Sequence, residues 1–508
     1  MSKYLYGASI QGIQSFIFQT NKLREIVGAS ELVDYLSSSF FKEFLQKNEV
    51  SFSEENLILS AAGNIKYEFE NAGDCQKIVK GFSKAVMLEA PGITVSQSVV
   101  ELTDLKNYVN SLQKLEDKLR IQRNKARYVL GDYNPFRIAA TARRTGGLGI
   151  DYKKDEVIDL SQIKKHKRAA ISESKLMEVL TGKKRATAIR DNSELAIEWG
   201  NFTSGNNWLG IIHADGNGLG AHIMSIYNSK IEGSKIKEVI REFSKALDTA
   251  TKSAVKKAYD EVFKAESKSE LYEPPVRPIL LGGDDITIVI KGDAAIPFTN
   301  AFLKLFETET QAEFKELETR LDIKEKNLGL ADGLTACAGV SFVKPNYPFH
   351  YGVHLSESLT SAAKKHSKSN KSGNRIPSSA FFVKVQSSYV EDYNTIVDQM
   401  LDHGHIRFDH GPYFIQSVDG YSTIDELQMW IKTICRPSAP RTGLRQWLGV
   451  MPHDTTQAKF IFERIKQNLK DRKNQNIISE LKLEKEYTVI RKDQAYTHLY
   501  DVVNLSSL

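Results

Sequence analysis

The sequence predicts an α+β chain made of two ferredoxin-like β-α-β-β-α-β units and a helical C-terminal domain. Three observations point there. YGASIQGIQSFI (6–17) and GIIHADGNGLGAHI (210–223) both read as a strand that enters a glycine-containing turn and then a helix. ILSAAGNIKYEF (58–69) and PILLGGDDITIVI (278–290) both read as strand, small-residue turn, strand, and ITVSQSVVEL (93–102) parallels TACAGVSFVKP (335–345) as the fourth strand. From Thr423 onward apolar and basic residues interleave at helical spacing.

Taken in order, YLYGASI is a strand and Gln14 to Phe44 is largely helical. Strands follow at Asn56–Ala61 and Ile65–Phe69, a helix at Asp74–Glu89, a strand at Gly92–Val100 and a charged helix at Asp104–Val129. Residues 1–132 thus form the first unit. Residues 133–205 are a connection rich in Gly, Lys and Arg and poor in apolar side chains. The second unit, 206–420, opens on the strand NWLGIIHAD. A helix at Lys235–Phe263, the strands PILLGG and ITIVIKGD, a helix at Ala295–Leu321, the strand LTACAGVSFV and a helix at Leu355–Ser367 complete it. Residues 421–508 are the helical C-terminal domain.

At 508 residues, with 41% apolar and 26% charged side chains, the chain has ordinary globular composition and length for several cores. No run approaches the roughly 18 apolar residues of a membrane span. The N-terminus lacks the basic and apolar segments of a secretory signal, so no membrane partner is expected. Cys75, Cys337 and Cys435 lie too far apart for a disulfide framework or a four-cysteine zinc site, which suits a reducing cytoplasm. The net charge of +6 is concentrated. Residues 143–190 hold 13 Lys/Arg against six Asp/Glu, and residues 421–508 hold 14 against 10. Such a segment fits a phosphate-rich partner or, equally, a solvated linker.

The two units differ where chemistry would occur. The first strand of the second unit ends at Asp215 and its hairpin turn carries Asp284 and Asp285, where the first unit has Ser9 and Asn64. Strand one and the hairpin are neighbours in this topology, so the three carboxylates converge. Together they repel unless a cation neutralises them, and an all-oxygen set selects Mg²⁺ or Mn²⁺. Two such ions about 3.5–4 Å apart would bridge a nucleoside triphosphate and activate a ribose 3′-hydroxyl. Gly282 and Gly283 let backbone N–H groups approach phosphate. Gly216, Gly218 and Gly220 do so at the start of the next helix, where Asn217 is read as a helix cap or a phosphate contact. In SAAKKHSKSNKSGN, Lys364 and Lys365 either meet the leaving phosphates or end a helix.

GGDD behind an apolar strand, an Asp-Gly turn before it, an Ala-Ala-Lys-Lys helix after it and the N-terminal GIQSFIFQTNKLREIVGASELVDYL together resemble the large subunit of type III CRISPR effector complexes. The likeness spans about residues 4–130 and 207–385, with a tail similar to that subunit's C-terminal domain. It implies two palm domains that face each other around two ATP molecules and an enzyme that makes cyclic oligoadenylate messengers. It also implies Asp215, Asp284 and Asp285 as metal ligands, Gly282 and Gly283 as the phosphate turn, Lys364 or Lys365 as a phosphate contact and Ser30 as a nucleotide contact. The first palm begins at residue 4, so no histidine–aspartate nuclease domain is expected. FRIAATARRTGGLGI has no cysteine where the family often carries a zinc knuckle, so no zinc is expected. Guanine-specific GGDEF cyclases share the palm. Their guanine-reading Asn falls at Ile223 and their motif phenylalanine at Ile286, which disfavours guanine. The resemblance leaves two readings. One is a stand-alone ATP-dependent cyclase. The other is an RNA-binding subunit that works with guide and target RNA and other effector subunits and is active only on assembly.

Overall fold

The computed structural model describes residues 3–508 except 62, 103–107, 126–139, 154, 182–207, 230, 232, 264–275, 324–327, 374, 387–391 and 492. The first unit runs β1 (Lys3–Gln11), α1 (Ile13–Ile17), α2 (Leu23–Ser37), α3 (Ser39–Lys47), β2 (Leu57–Ala61), β3 (Asn64–Phe69), α4 (Ala72–Glu89), β4 (Thr94–Leu102) and α5 (Tyr108–Arg123). Its sheet has the order β2-β3-β1-β4, as a β-α-β-β-α-β unit requires. Central β1 is buried from Leu5 to Ile10. Asn71 caps α4 by accepting the Asp74 N–H at 2.9 Å.

After β5 (Gly149–Lys153), β6 (Glu156–Asp159) and α6 (Leu160–Thr181), the second unit repeats the pattern. It runs β7 (Leu209–Asn217), α7 (Leu219–Asn228), α8 (Gly233–Phe263), β8 (Val276–Gly282), β9 (Asp285–Lys291), α9 (Gly292–Arg320), β10 (Thr335–Val343), α10 (Phe349–Ser369) and β11 (Ser379–Lys384). Its sheet, β8-β9-β7-β10, is the first sheet's order with β11 and a later strand added at one edge. The two units are therefore the expected duplicates. Ser9 pairs with Asn64 at the same place in the register as Asp215 with Asp285. α8 and α9 cover one face of the second sheet and α10 the other.

The tail is helical but also carries strands. α11 (Tyr393–Ile396), β12 (Ile406–Arg407) and β13 (Tyr413–Phe414) lead into α12 (Ile424–Ile434), α13 (Arg441–Val450), α14 (Thr455–Asp471), α15 (Asn476–Glu480), β14 (Val489–Arg491), β15 (Gln494–Tyr496) and α16 (Leu499–Leu505). β13 extends the second sheet, and β12 joins the β14–β15 hairpin. Thr423 and Glu426 form a capping box at α12, and Trp430 and Trp447 are fully buried. Among the described residues no helix is long and apolar enough to cross a membrane.

The basic connection departs most from expectation. Its described part, residues 140–153 and 155–181, folds into a hairpin and a helix, and α6 packs along α2. Its charges are largely used inside the fold. Arg144, Gln162 and His166 all reach the fully buried Glu25, at 2.8, 3.3 and 3.2 Å. Lys164 pairs with Glu89 and Lys175 with Glu31, each at 2.5 Å, and the Arg168 guanidinium lies 3.3 Å over the Tyr35 ring. Fully buried Lys165 donates to the Phe16 carbonyl at 2.8 Å and to Gln19 at 3.1 Å. Burial acts to raise the Glu25 carboxyl, but the His166 hydrogen bond and the Arg144 charge hold it down at about 2. Burial pulls the Lys165 amine down to about 8. Residues 182–205, which include the remaining basic cluster, lie outside the described residues.

The units meet across a polar and aromatic seam. Gln14 Nε2 donates to Glu357 Oε1 at 2.8 Å, and His350 Nδ1 lies 3.2 Å from Asn21 Oδ1. Phe18 packs on Phe349, and Lys237 on α8 stands 3.5 Å from Glu68 on β3.

Candidate active site

The site grows from the paired ends of β7 and β9. Asp215 and Asp285 are direct antiparallel partners, so their side chains leave the same face of the sheet. β8 and β9 are joined through Gly283 and Asp284, because Gly282 pairs with Asp285. A two-residue turn of this kind needs positive φ at its first position, and Gly283 has φ 62°. Gly216 donates its N–H to the Asp284 carbonyl at 3.0 Å. A Cβ on Gly216 would lie 2.7 Å from the Asp284 Cβ, so only glycine lets the turn close over β7. Around Gly218, Gly220, Gly282 and Gly283 a side chain would meet nothing within 4 Å. The rim is bare backbone facing open space.

α10 brings the cation. Gly339 on β10 lets the helix lie close, since a Cβ there would sit 2.1 Å from the Ser356 carbonyl oxygen. Thr360 donates to the His213 carbonyl at 3.0 Å. One turn on, Lys364 Nζ stands 2.5 Å from Asp215 Oδ2 and 2.8 Å from the Gly216 carbonyl oxygen. Lys365, one residue and about 100° further around the helix, is exposed. Of the two lysines considered from sequence, the structure brings only Lys364 to the carboxylates.

One other expectation needs correction. Asn217 does not cap α7. Gly218 is the cap residue, and Asn217 turns into the sheet to donate to Thr335 Oγ1 at 3.0 Å and Cys337 Sγ at 3.4 Å. The structure places Ser30 on α2 of the first unit, 9% exposed. Gly28 of the same GAS stretch packs against α6, since a Cβ there would lie 1.9 Å from the Lys165 carbonyl oxygen.

Sequence reasoning missed His213, Thr287 and Glu357. His213 Nδ1 lies 3.1 Å from Thr287 Oγ1 and 3.5 Å from Asp285 Oδ1. The available signal was periodicity, since His213 and Thr287 sit two residues along from Asp215 and Asp285 and so share their face. In the first unit the equivalent place is neutral. Ser9 Oγ donates to Asn64 Oδ1 at 3.0 Å, and Gln11 Nε2 donates to Ser9 Oγ at 3.1 Å.

Residues 208–373 match the family model described as Cas10/Cmr2, second palm domain. The second unit is thus similar to that palm domain. No curated protein matches the chain. A solved Csm1–Csm4 cassette in complex with cA4 aligns over 99% of this chain and 69% of its own, with TM-score 0.53 and 12% identity. The same cassette with AMPPNP aligns over 100% and 70%, with TM-score 0.51 and 12% identity. Csm1 of T. onnurineus aligns over 99% and 69%, with TM-score 0.51 and 12% identity. At that identity the likeness establishes a shared fold, both palms and tail included.

The second unit holds negative charge it does not fully neutralise. Burial pushes both Asp284 and Asp285 up to about 7, Asp215 adds to the rise, and Lys364 opposes it. Asp285 Oδ1 is buried without a hydrogen-bond partner. Among the described residues no three His, Cys, Asp or Glu side chains are placed to hold a metal ion as they stand. The Lys364 amine at Asp215 takes the cation's role. The donor set nonetheless fits a hard divalent cation in chemistry, being carboxylate oxygens with one orphaned acceptor.

This electrostatics gives a stability prediction. A carboxyl whose folded pKa lies above its ordinary 3.8 stabilises the fold at low pH, and that contribution is lost as pH rises through about 7. In chelator, the Asp284→Asn/Asp285→Asn protein is therefore expected to melt higher than wild type at pH 8 and alike at pH 4. Asp285 is 40% exposed, so screening limits the gap to about 1–2 kcal/mol, a few degrees in Tm. Thermal melts at the two pH values check it, and an equal gap at both would refute the electrostatic account.

Proposed function

We propose that the chain is a metal-dependent nucleotidyltransferase that joins ATP into cyclic oligoadenylate in CRISPR-type defence. One observation carries the proposal. In a Cas10-type palm, Asp215 and Asp285 face each other in register with Asp284 on the turn above, beside a bare glycine rim. Asp215, Asp284 and Asp285 hold Mg²⁺ or Mn²⁺. When bound, the ions supply the charge that neutralises a triphosphate and acidifies a ribose 3′-hydroxyl for in-line attack. The backbone N–H groups at Gly218, Gly282 and Gly283 approach phosphate oxygens, while the Gly216 N–H stays on the Asp284 carbonyl. Lys364, already at the carboxylates, exchanges Asp215 for the phosphates of the leaving group. The neutral Ser9–Asn64 pair suits the first palm to a nucleotide without a metal. Ile223, packed among apolar residues on α7, offers guanine no hydrogen bond.

The solved Csm1 chains that share the fold sit in cassettes with Csm4 and were captured with cA4 or AMPPNP. This supports ATP as substrate and a Csm4-like subunit as partner. RNA binding by the basic connection is less favoured, because Arg144, Lys164 and Lys175 on it are engaged with the first palm. The test is incubation of the purified chain with each NTP and Mn²⁺ or Mg²⁺, followed by mass spectrometry. Pyrophosphate and cyclic oligoadenylate from ATP, but no product from GTP, are expected. Activity that appears only with effector subunits and RNA present assigns the chain to the assembled-subunit reading. No consumption of any NTP under either condition overturns the enzymatic proposal.

A further inference from the structure

Behind the carboxylates lies a chain of contacts that the proposed chemistry does not use. His213 on β7 and Thr287 on β9 are register partners one step inside Asp215 and Asp285. The His213 ring is nine-tenths buried, with Nδ1 3.5 Å from the orphaned Asp285 Oδ1 and 3.1 Å from Thr287 Oγ1. Its own backbone is fixed to α10 by the Thr360 hydroxyl. Glu357 lies one turn earlier on that helix. Burial lifts its carboxyl above the ordinary range. Glu357 in turn accepts the 2.8 Å hydrogen bond from Gln14, which comes from α1 of the first palm.

We infer that His213 is the positioning residue for Asp285, its ring set by Thr287 and its backbone by Thr360. This rests on Asp285 being a metal ligand, as proposed above. Partners that orient a metal ligand without touching the metal typically contribute about ten- to a hundredfold to its affinity. A histidine serving only as buried filler against Thr287 would leave that affinity unchanged.

The experiment is a Mn²⁺ titration of the full chain by electron paramagnetic resonance, without nucleotide, alongside metal-free melting curves. His213→Ala is expected to weaken Mn²⁺ about tenfold or more with little change in Tm. His213→Asn, which keeps an amide N–H near the Nδ1 position, is expected to recover most of the loss. If His213→Ala unfolds, His213→Leu, of similar volume and without an N–H, takes its place. Wild-type Mn²⁺ affinity in His213→Ala or His213→Leu, or no recovery in His213→Asn, overturns the positioning role. Asp285→Asn separates the two levels. If it binds Mn²⁺ like wild type, the ligand assignment itself fails; if it loses Mn²⁺ while His213→Ala does not, only the present inference falls.

Discussion

Replacing Asp284 and Asp285 together by alanine is expected to abolish pyrophosphate release from ATP while leaving the protein folded. Charge stabilisation by a bound divalent ion is worth several kcal/mol at the transition state, which corresponds to a loss of about 10³-fold or more. The fold should survive because the turn's shape rests on Gly283 and on the Gly216 N–H bonded to the residue-284 carbonyl, both of which remain. Removing two carboxylates that burial has pushed up to about 7 also relieves repulsion with Asp215. The melting temperature of the metal-free protein should therefore hold or rise, and the rise in Tm on adding Mn²⁺ should disappear. A continuous pyrophosphate assay and paired melts measure both effects. A folded variant that keeps turnover within tenfold of wild type would remove these carboxylates from the chemistry.

Much of this site was legible in the sequence because strand periodicity and turn chemistry are local. Asp215 at a strand end and Gly-Gly-Asp-Asp between two apolar strands needed only the β-α-β-β topology to bring them together, and the register does pair Asp215 with Asp285. Choosing between Lys364 and Lys365 was different in kind. Adjacent helix residues differ by about 100°, and only the phase of α10 on the sheet, fixed by Gly339 and Thr360, selects Lys364. Helix α6 was hidden for another reason. The residues it buries include Ser161, Gln162 and Lys165, so its inward face carries almost no apolar period to detect. Gln162 and Lys165 are satisfied by Glu25, the Phe16 carbonyl and Gln19 on a distant stretch of chain. A composition that reads as a solvated linker thus encodes a buried polar interface. With α6 unseen, Gly28 of the GAS stretch has no packing partner visible in the sequence.

Gly28→Val should strip α6 from the first palm and take much of that palm's stability with it. A Cβ at residue 28 would lie 1.9 Å from the Lys165 carbonyl oxygen, 2.7 Å from its carbon and 3.1 Å from the Ala169 nitrogen. All three are helix backbone atoms, which cannot rotate aside as a side-chain tip can, so the two helices must separate. Overpacking alone costs about 1–3 kcal/mol. Separation also strands Glu25, which is fully buried and depends on Arg144, His166 and Gln162 from the displaced segment. Breaking a buried ion pair from one side typically costs about 3–5 kcal/mol. Against the roughly 5–15 kcal/mol that holds an ordinary domain together, these costs are a large share. Gly449→Ala on α13, where a side chain would meet nothing within 4 Å, is the matched control and should melt at or slightly above wild type. Differential scanning calorimetry and limited proteolysis measure the effect. The expected result is a large drop in the first transition and new cleavage between residues 140 and 181. Wild-type melting in Gly28→Val would mean that α6 rides loosely on α2, and its basic residues would then be available to a phosphate-rich partner after all.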